Sequence, residues 1–219
     1  VQSPALDPKN ALPDGIEALA SVYVDHILAL GTTGPVHIAG WSVGGVIAQA
    51  AAVELERRGV EVGLMAMLDS YPAECWRAES EPDPVDALRA LLAVAGYDPT
   101  QYPDLRSRAA ILAFLKAGDS ALGGLPEAAL DGVIRVVLDT NRLVRKHHHQ
   151  PFGGRATHVR AALDHKERDL TPGLWRPYAA ELDVVEVPFL HPQLTGPAAT
   201  ALIAPALDAR MTAAEEKMR

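Results

Sequence analysis

The sequence predicts an α/β protein with a mostly parallel sheet and a helical insertion. Three observations carry this. Two apolar runs, residues 35–39 and 60–68, flank a helical pattern over 44–58. A helix between two neighbouring strands implies a parallel βαβ unit. Residues 71–150 then show helical spacing with no convincing strand, and strand patterns return at 156–163 and 182–187. With 219 residues, 48% of them hydrophobic, the chain can bury one sizeable core. We read residues 1–219 as one domain, with a core of 1–70 and 151–219 and an insertion over about 71–150.

In order along the chain, residues 14–30 form an amphipathic helix. Ile16, Leu19, Val24, Ile27 and Leu28 supply its apolar face, Asp14 is placed to cap it and Gly31 to end it. "PVHIA" is short, apolar and partly β-branched, a buried strand. The helix over 44–58 closes at Gly59, and Ala48, Ala50, Ala51 and Ala52 let it lie close to a sheet. "VEVGLMAML" is the next strand. "PVDALRALLAVAG", "LRSRAAILAFLKAG" and "LPEAALDGVIRVVLDTNRLVRKH" read as helices, separated by loops rich in Pro, Asp and Gly. "ATHVRAAL" and "LDVVEV" are strands, and a helix covers about 196–209.

Composition narrows the function. A formal net charge of −8 argues against a nucleic-acid binder, which needs a basic surface. Cys75 is the one cysteine, so no internal disulfide forms and a reducing compartment is expected. No apolar stretch is long enough to cross a bilayer, and "VQSPALDPKN" lacks the features of a signal peptide. These readings place the protein in the cytoplasm, with no membrane or nucleic-acid partner.

Gly40-Trp41-Ser42-Val43-Gly44 fits G-x-S-x-G, a motif that sets a serine on a sharp turn between strand and helix. Both neighbours are present here. Glycines are expected on either side because side chains would collide with strand or helix, and Gly45 extends the small-residue zone. The turn places Ser42 at a helix N-terminus, where developing negative charge is favoured, and the Val43 N–H is one candidate oxyanion donor. The plainer reading is a structural turn with Ser42 as a helix cap.

A nucleophilic serine needs a base and an orienting acid, in the chain order Ser, Asp or Glu, His. His191 follows the strand in "VVEVPFLHPQLTGP" and is the candidate base. Asp69 ("AMLDSYP") and Asp164 ("AALDHKERD") both end strands at the carboxyl edge of the sheet, and residue chemistry alone does not choose between them. Asp183 begins a strand and is the weaker candidate. His147, His148 and His149 point in different directions if helical, so they read as a polar helix end rather than a metal cluster. With neither H-E-x-x-H nor a cysteine cluster, no metal and no bound cofactor are expected. Cys75 beside Trp76 reads as packing.

"GWSVGG", "LDSYP", the helical insertion and "LHPQLTGP" together resemble the thioesterase domains that end nonribosomal peptide synthetases, and the Ala- and Arg-rich text is similar to that of actinobacterial synthetases, including depsipeptide makers of the valinomycin type. Such thioesterases are α/β-hydrolase domains with a helical lid, and the similarity runs along nearly the whole chain. The resemblance implies Ser42 as nucleophile, Asp69 as the triad acid and His191 as base. Phe189 and Leu194 depart from the family's usual text around the histidine. It also implies a peptidyl carrier protein as partner, a substrate delivered on phosphopantetheine, a monomeric domain, and release by macrocyclisation or hydrolysis. Family members begin with a strand and an "HPAGG" loop that supplies a second oxyanion N–H. "VQSPALDP" resembles the strand after that loop, so the first strand and loop are expected to be missing from residues 1–219. Leu91, Leu92, Ile111, Leu112 and Phe114 are candidates to line the lid, or to form its own core. The alternatives are a stand-alone editing thioesterase, for which Asp164 would be the acid, a small-molecule esterase with no carrier partner, and a non-catalytic binding module of the same fold.

Overall fold

The computed structural model describes residues 2–31, 33–78, 83–118, 120–165 and 169–217. Val1 and parts of the insertion (79–82 and 119) therefore lie outside the described residues. Among the described residues the chain folds as helix α1 (Ile16–Leu28), strand β1 (Val36–Trp41), α2 (Val43–Arg57), β2 (Val62–Leu68), α3 (Pro84–Val94), α4 (Arg108–Ala117), α5 (Glu127–Lys146), β3 (Phe152–Ala161), β4 (Ala179–Val187) and α6 (Pro197–Glu216). The sheet order is β1-β2-β3-β4 and every pairing is parallel. All four strands therefore end at one edge.

Strand periodicity sorts the core into two layers. Met65 and Met67 of β2, with Phe152 and Ala156 of β3, pack against α2 and α1. Leu68 of β2, with Val159 and Ala161 of β3 and Val187 of β4, packs against Ala199 and Ile203 of α6. Ala50, Ala51 and Ala52 are buried in the first layer, as close helix–sheet packing requires. Gly31 (φ +66°) and Gly59 (φ +74°) follow α1 and α2 in the left-handed conformation that ends a helix.

Several boundaries differ from the reading of the sequence. Gly15, not Asp14, is the N-cap of α1, with no side-chain cap bond. Pro4–Leu6 form a short 3-10 turn rather than a strand, because Ser3 Oγ accepts the Ala5 N–H and Pro4 has no N–H to offer a ladder. β3 and β4 begin earlier, and α6 runs past residue 209.

The insertion separates β2 from β3. Leu91 and Leu92 of α3 pack with Ile111 and Leu115 of α4 in a third cluster, against which Phe114 lies. That cluster is the helices' own core. Leu91, Leu92, Ile111 and Phe114 thus take the second of the two roles open to them, and the cavity is lined instead by Ala90, Ala93 and Val94 of α3 and Val133, Val136 and Val137 of α5; Leu112 belongs to neither group.

Candidate active site

The turn after β1 is dictated by space. A Cβ on Gly40 would stand 2.0 Å from the Gly44 carbonyl oxygen, and one on Gly45 would stand 2.4 Å from Ser70 Cβ. Gly44 meets nothing within 4 Å, so Gly45, rather than the second glycine of the motif, is sterically required. Between them Ser42 adopts φ 55°, ψ −128°, a strained backbone for a serine. It is the N-cap residue of α2 but makes no side-chain cap bond, so its hydroxyl is not used as a helix cap. Its N–H donates to Leu68 O at 3.0 Å, tying the corner to β2.

Asp69 follows β2 with φ 48°, and its N–H donates to Val159 O at 2.7 Å. The residue is 2% exposed. Among the described residues four donors converge on it. Tyr71 Oη–H (3.0 Å) and Ala161 N–H (3.1 Å) donate to Oδ1, and His191 Nδ1 (2.8 Å) and His165 Nε2 (2.6 Å) lie against Oδ2. Burial alone pushes this carboxyl up, but the hydrogen bonds from His165 and His191 outweigh it and hold it well below the usual carboxylate range.

His191 lies in the loop after β4. With Nδ1–H committed to Asp69, Nε2 carries the lone pair. Trp41, the residue before Ser42, holds the same loop. Its indole stacks on the His191 ring (centroids 5.1 Å apart, planes at 28°) and its Nε1–H donates to His191 O at 3.1 Å. Ser42, Asp69, His165 and His191 all border one cavity of about 610 Å³, roofed by α3 and α5.

The thioesterase-domain family model matches residues 1–207. The chain belongs to the thioesterase domain family. It is 29% identical over 215 residues to a dimodular nonribosomal peptide synthase of Bacillus subtilis (strain 168), an alignment covering 96% of this chain and 9% of that protein. The fold matches a four-domain nonribosomal peptide synthetase bound to AMP and glycine (TM-score 0.75, 21% identity, 95% of this chain and 17% of that one). It also matches the RedJ thioesterase of the prodiginine pathway in Streptomyces coelicolor (TM-score 0.64, 22% identity, 96% and 77%). This chain thus spans a small fraction of the synthetases it resembles.

The other candidates of this thioesterase domain fall elsewhere. Asp164 does not touch the imidazole of His191. Its Oδ2 accepts the His191 backbone N–H at 2.9 Å. Asp183 pairs with Arg155 on the sheet, away from the cavity. His147 and His149 are buried rather than a polar helix end. α5 stops at Lys146, and the extended chain turns His147 onto Glu17 and His149 onto Gln49. His149 also accepts the Ala73 N–H at 3.0 Å through Nε2, so both its ring nitrogens are occupied and its pKa is held down to about 3, chiefly by burial. Burial likewise pushes the Cys75 thiol up, away from reactivity. Asp69, His165 and His191 bring an oxygen and two ring nitrogens within 4.8 Å of one another. Their hydrogen bonds account for that closeness. Among the described residues no helix is long and apolar enough to cross a membrane.

Proposed function

We propose that this chain is a serine thioesterase domain that releases a peptidyl or depsipeptidyl chain from the phosphopantetheine thioester of a carrier protein. The observation that carries the reading is the His191–Asp69 pair beside the strained Ser42 corner in one apolar cavity. The Nε2 lone pair of His191 takes the Ser42 proton as Oγ attacks the thioester carbonyl, and Asp69 fixes the tautomer and stabilises the imidazolium. The Val43 N–H, first in α2, is the proposed donor to the developing oxyanion, with the helix dipole behind it. Collapse expels the pantetheine thiolate, which takes the proton from His191 and leaves an acyl-O-Ser42 ester.

The second half runs in reverse. Water, or an amine or hydroxyl of the acyl chain, gives its proton to His191 and attacks the ester. The residues that roof the cavity, such as Val133, Val136 and Val137, limit the access of water and favour an internal nucleophile. α3 to α5 act as the lid. Mass spectrometry of products from a carrier-loaded peptide or a thioester mimic tests this reading. Macrocyclic or free-acid product from the wild type and none from Ser42→Ala supports it, and equal turnover by both proteins rejects it.

A further inference from the structure

His165 contacts the carboxylate that His191 depends on, and the serine motif does not account for that contact. Its Nε2 lies 2.6 Å from Asp69 Oδ2, the oxygen that also receives His191 Nδ1 at 2.8 Å. A carboxylate only accepts, so both imidazoles present N–H groups to one oxygen. His165 is held there by its own turn. Its φ is +60°, its N–H donates to Asp164 Oδ1 at 2.8 Å, and Tyr71 meets its ring edge-on at 5.1 Å. Such a backbone is costly for a histidine and persists where its surroundings enforce it.

We propose that His165 is a positioning residue that tunes the base: its N–H shares the charge of Asp69 Oδ2, and so sets how strongly that carboxylate holds a proton on His191. The proposal deepens the triad reading and rests on it. A carboxylate that already donates electron density to a second N–H stabilises an imidazolium less. Among the described residues, the charged and titratable groups facing His165 include Asp69 from the end of β2, Tyr71 after it, His158 from β3, Asp164 from its own turn and His191 from the loop after β4. A proton on His165 would also oppose a proton on His191, since both rings face one carboxylate oxygen. Both effects act in one direction. His165 keeps His191 free to accept the serine proton at lower pH.

Nitrogen NMR of the His191 ring reads this without any turnover. In His165→Ala the titration of the His191 ring moves to higher pH by about half to one unit, the equivalent of one modest hydrogen bond. His165→Gln, whose amide can donate to Asp69, brings it back toward the wild type. A His191 titration unmoved in His165→Ala, or moved equally in both variants, overturns the proposal. Fluorophosphonate labelling of Ser42 in the wild-type protein is run alongside. Its absence counts against the triad reading, while an unmoved titration with normal labelling counts against the role of His165 alone.

Discussion

Asp164 accepts the backbone N–H of His191 at 2.9 Å, while Asp69 takes the Nδ1–H of the same residue at 2.8 Å. Two acids at the same sheet edge thus hold one histidine by different handles. Asp69→Asn removes the acceptor that fixes the tautomer, and should lower kcat by roughly 10³–10⁴-fold. Asp164→Asn retains an oxygen acceptor for the loop and should lower kcat less than about tenfold. Steady-state kinetics on a thioester mimic decides. The reverse order would make Asp164 the acid and favour the editing-thioesterase alternative.

Trp41 supports the base from its other face. The stacked indole and its hydrogen bond to His191 O hold the imidazole in place. Trp41→Ala should cost on the order of tenfold or more in kcat/KM. Trp41→Phe keeps a ring but loses the 3.1 Å bond to His191 O, and falls between. Equal rates in all three proteins would remove Trp41 from the account.

The glycines of the corner differ in what they tolerate. A Cβ at Gly45 lands 2.4 Å from Ser70 Cβ, so Gly45→Ala should destabilise by about 1–3 kcal/mol. Gly44 has open space, and Gly44→Ala should leave the urea midpoint unchanged or slightly raised. Equilibrium unfolding of the two variants reads the difference directly.

Three buried histidines, His147, His149 and His158, are each pushed down by burial and predict an acid-labile fold. His149 is held down to about 3, and His158 to about 4, both chiefly by burial. Each stays neutral in the folded chain and protonates near pH 6.5 when unfolded. Their contribution is therefore full above about 6.5 and falls as pH drops, by roughly 1.4 kcal/mol per unit per histidine until the folded value is reached. Urea midpoints between pH 7 and 5 lie above the carboxylate range and isolate this slope. His149→Gln cannot protonate and should flatten it while lowering stability at pH 7.

Much of the candidate site's geometry was legible in residue order. G-x-S-x-G between a strand and a helix marked Ser42, and a histidine after the fourth strand marked His191. The choice between Asp69 and Asp164 was not legible from spacing, because both follow strands that end at the same edge. It turns on the positive φ of Asp69, which a non-glycine residue does not advertise. His165 was hidden for the same reason, since only its left-handed turn brings its ring back to Asp69. Trp41 carried a signal, as an aromatic beside a nucleophile is placed to meet the base. The choice between lining and own core for the lid residues was not legible, because helical spacing tells which positions are apolar, but α3 is apolar on two faces, one for α4 and one for the cavity.

Incubation with a peptidyl N-acetylcysteamine thioester, acid quench and peptide mapping by mass spectrometry tests the central claim most directly. The account predicts an acyl ester on Ser42 that is absent from Ser42→Ala and forms far more slowly in His191→Ala. Turnover with the adduct on another residue, or an undiminished rate in Ser42→Ala, would contradict it.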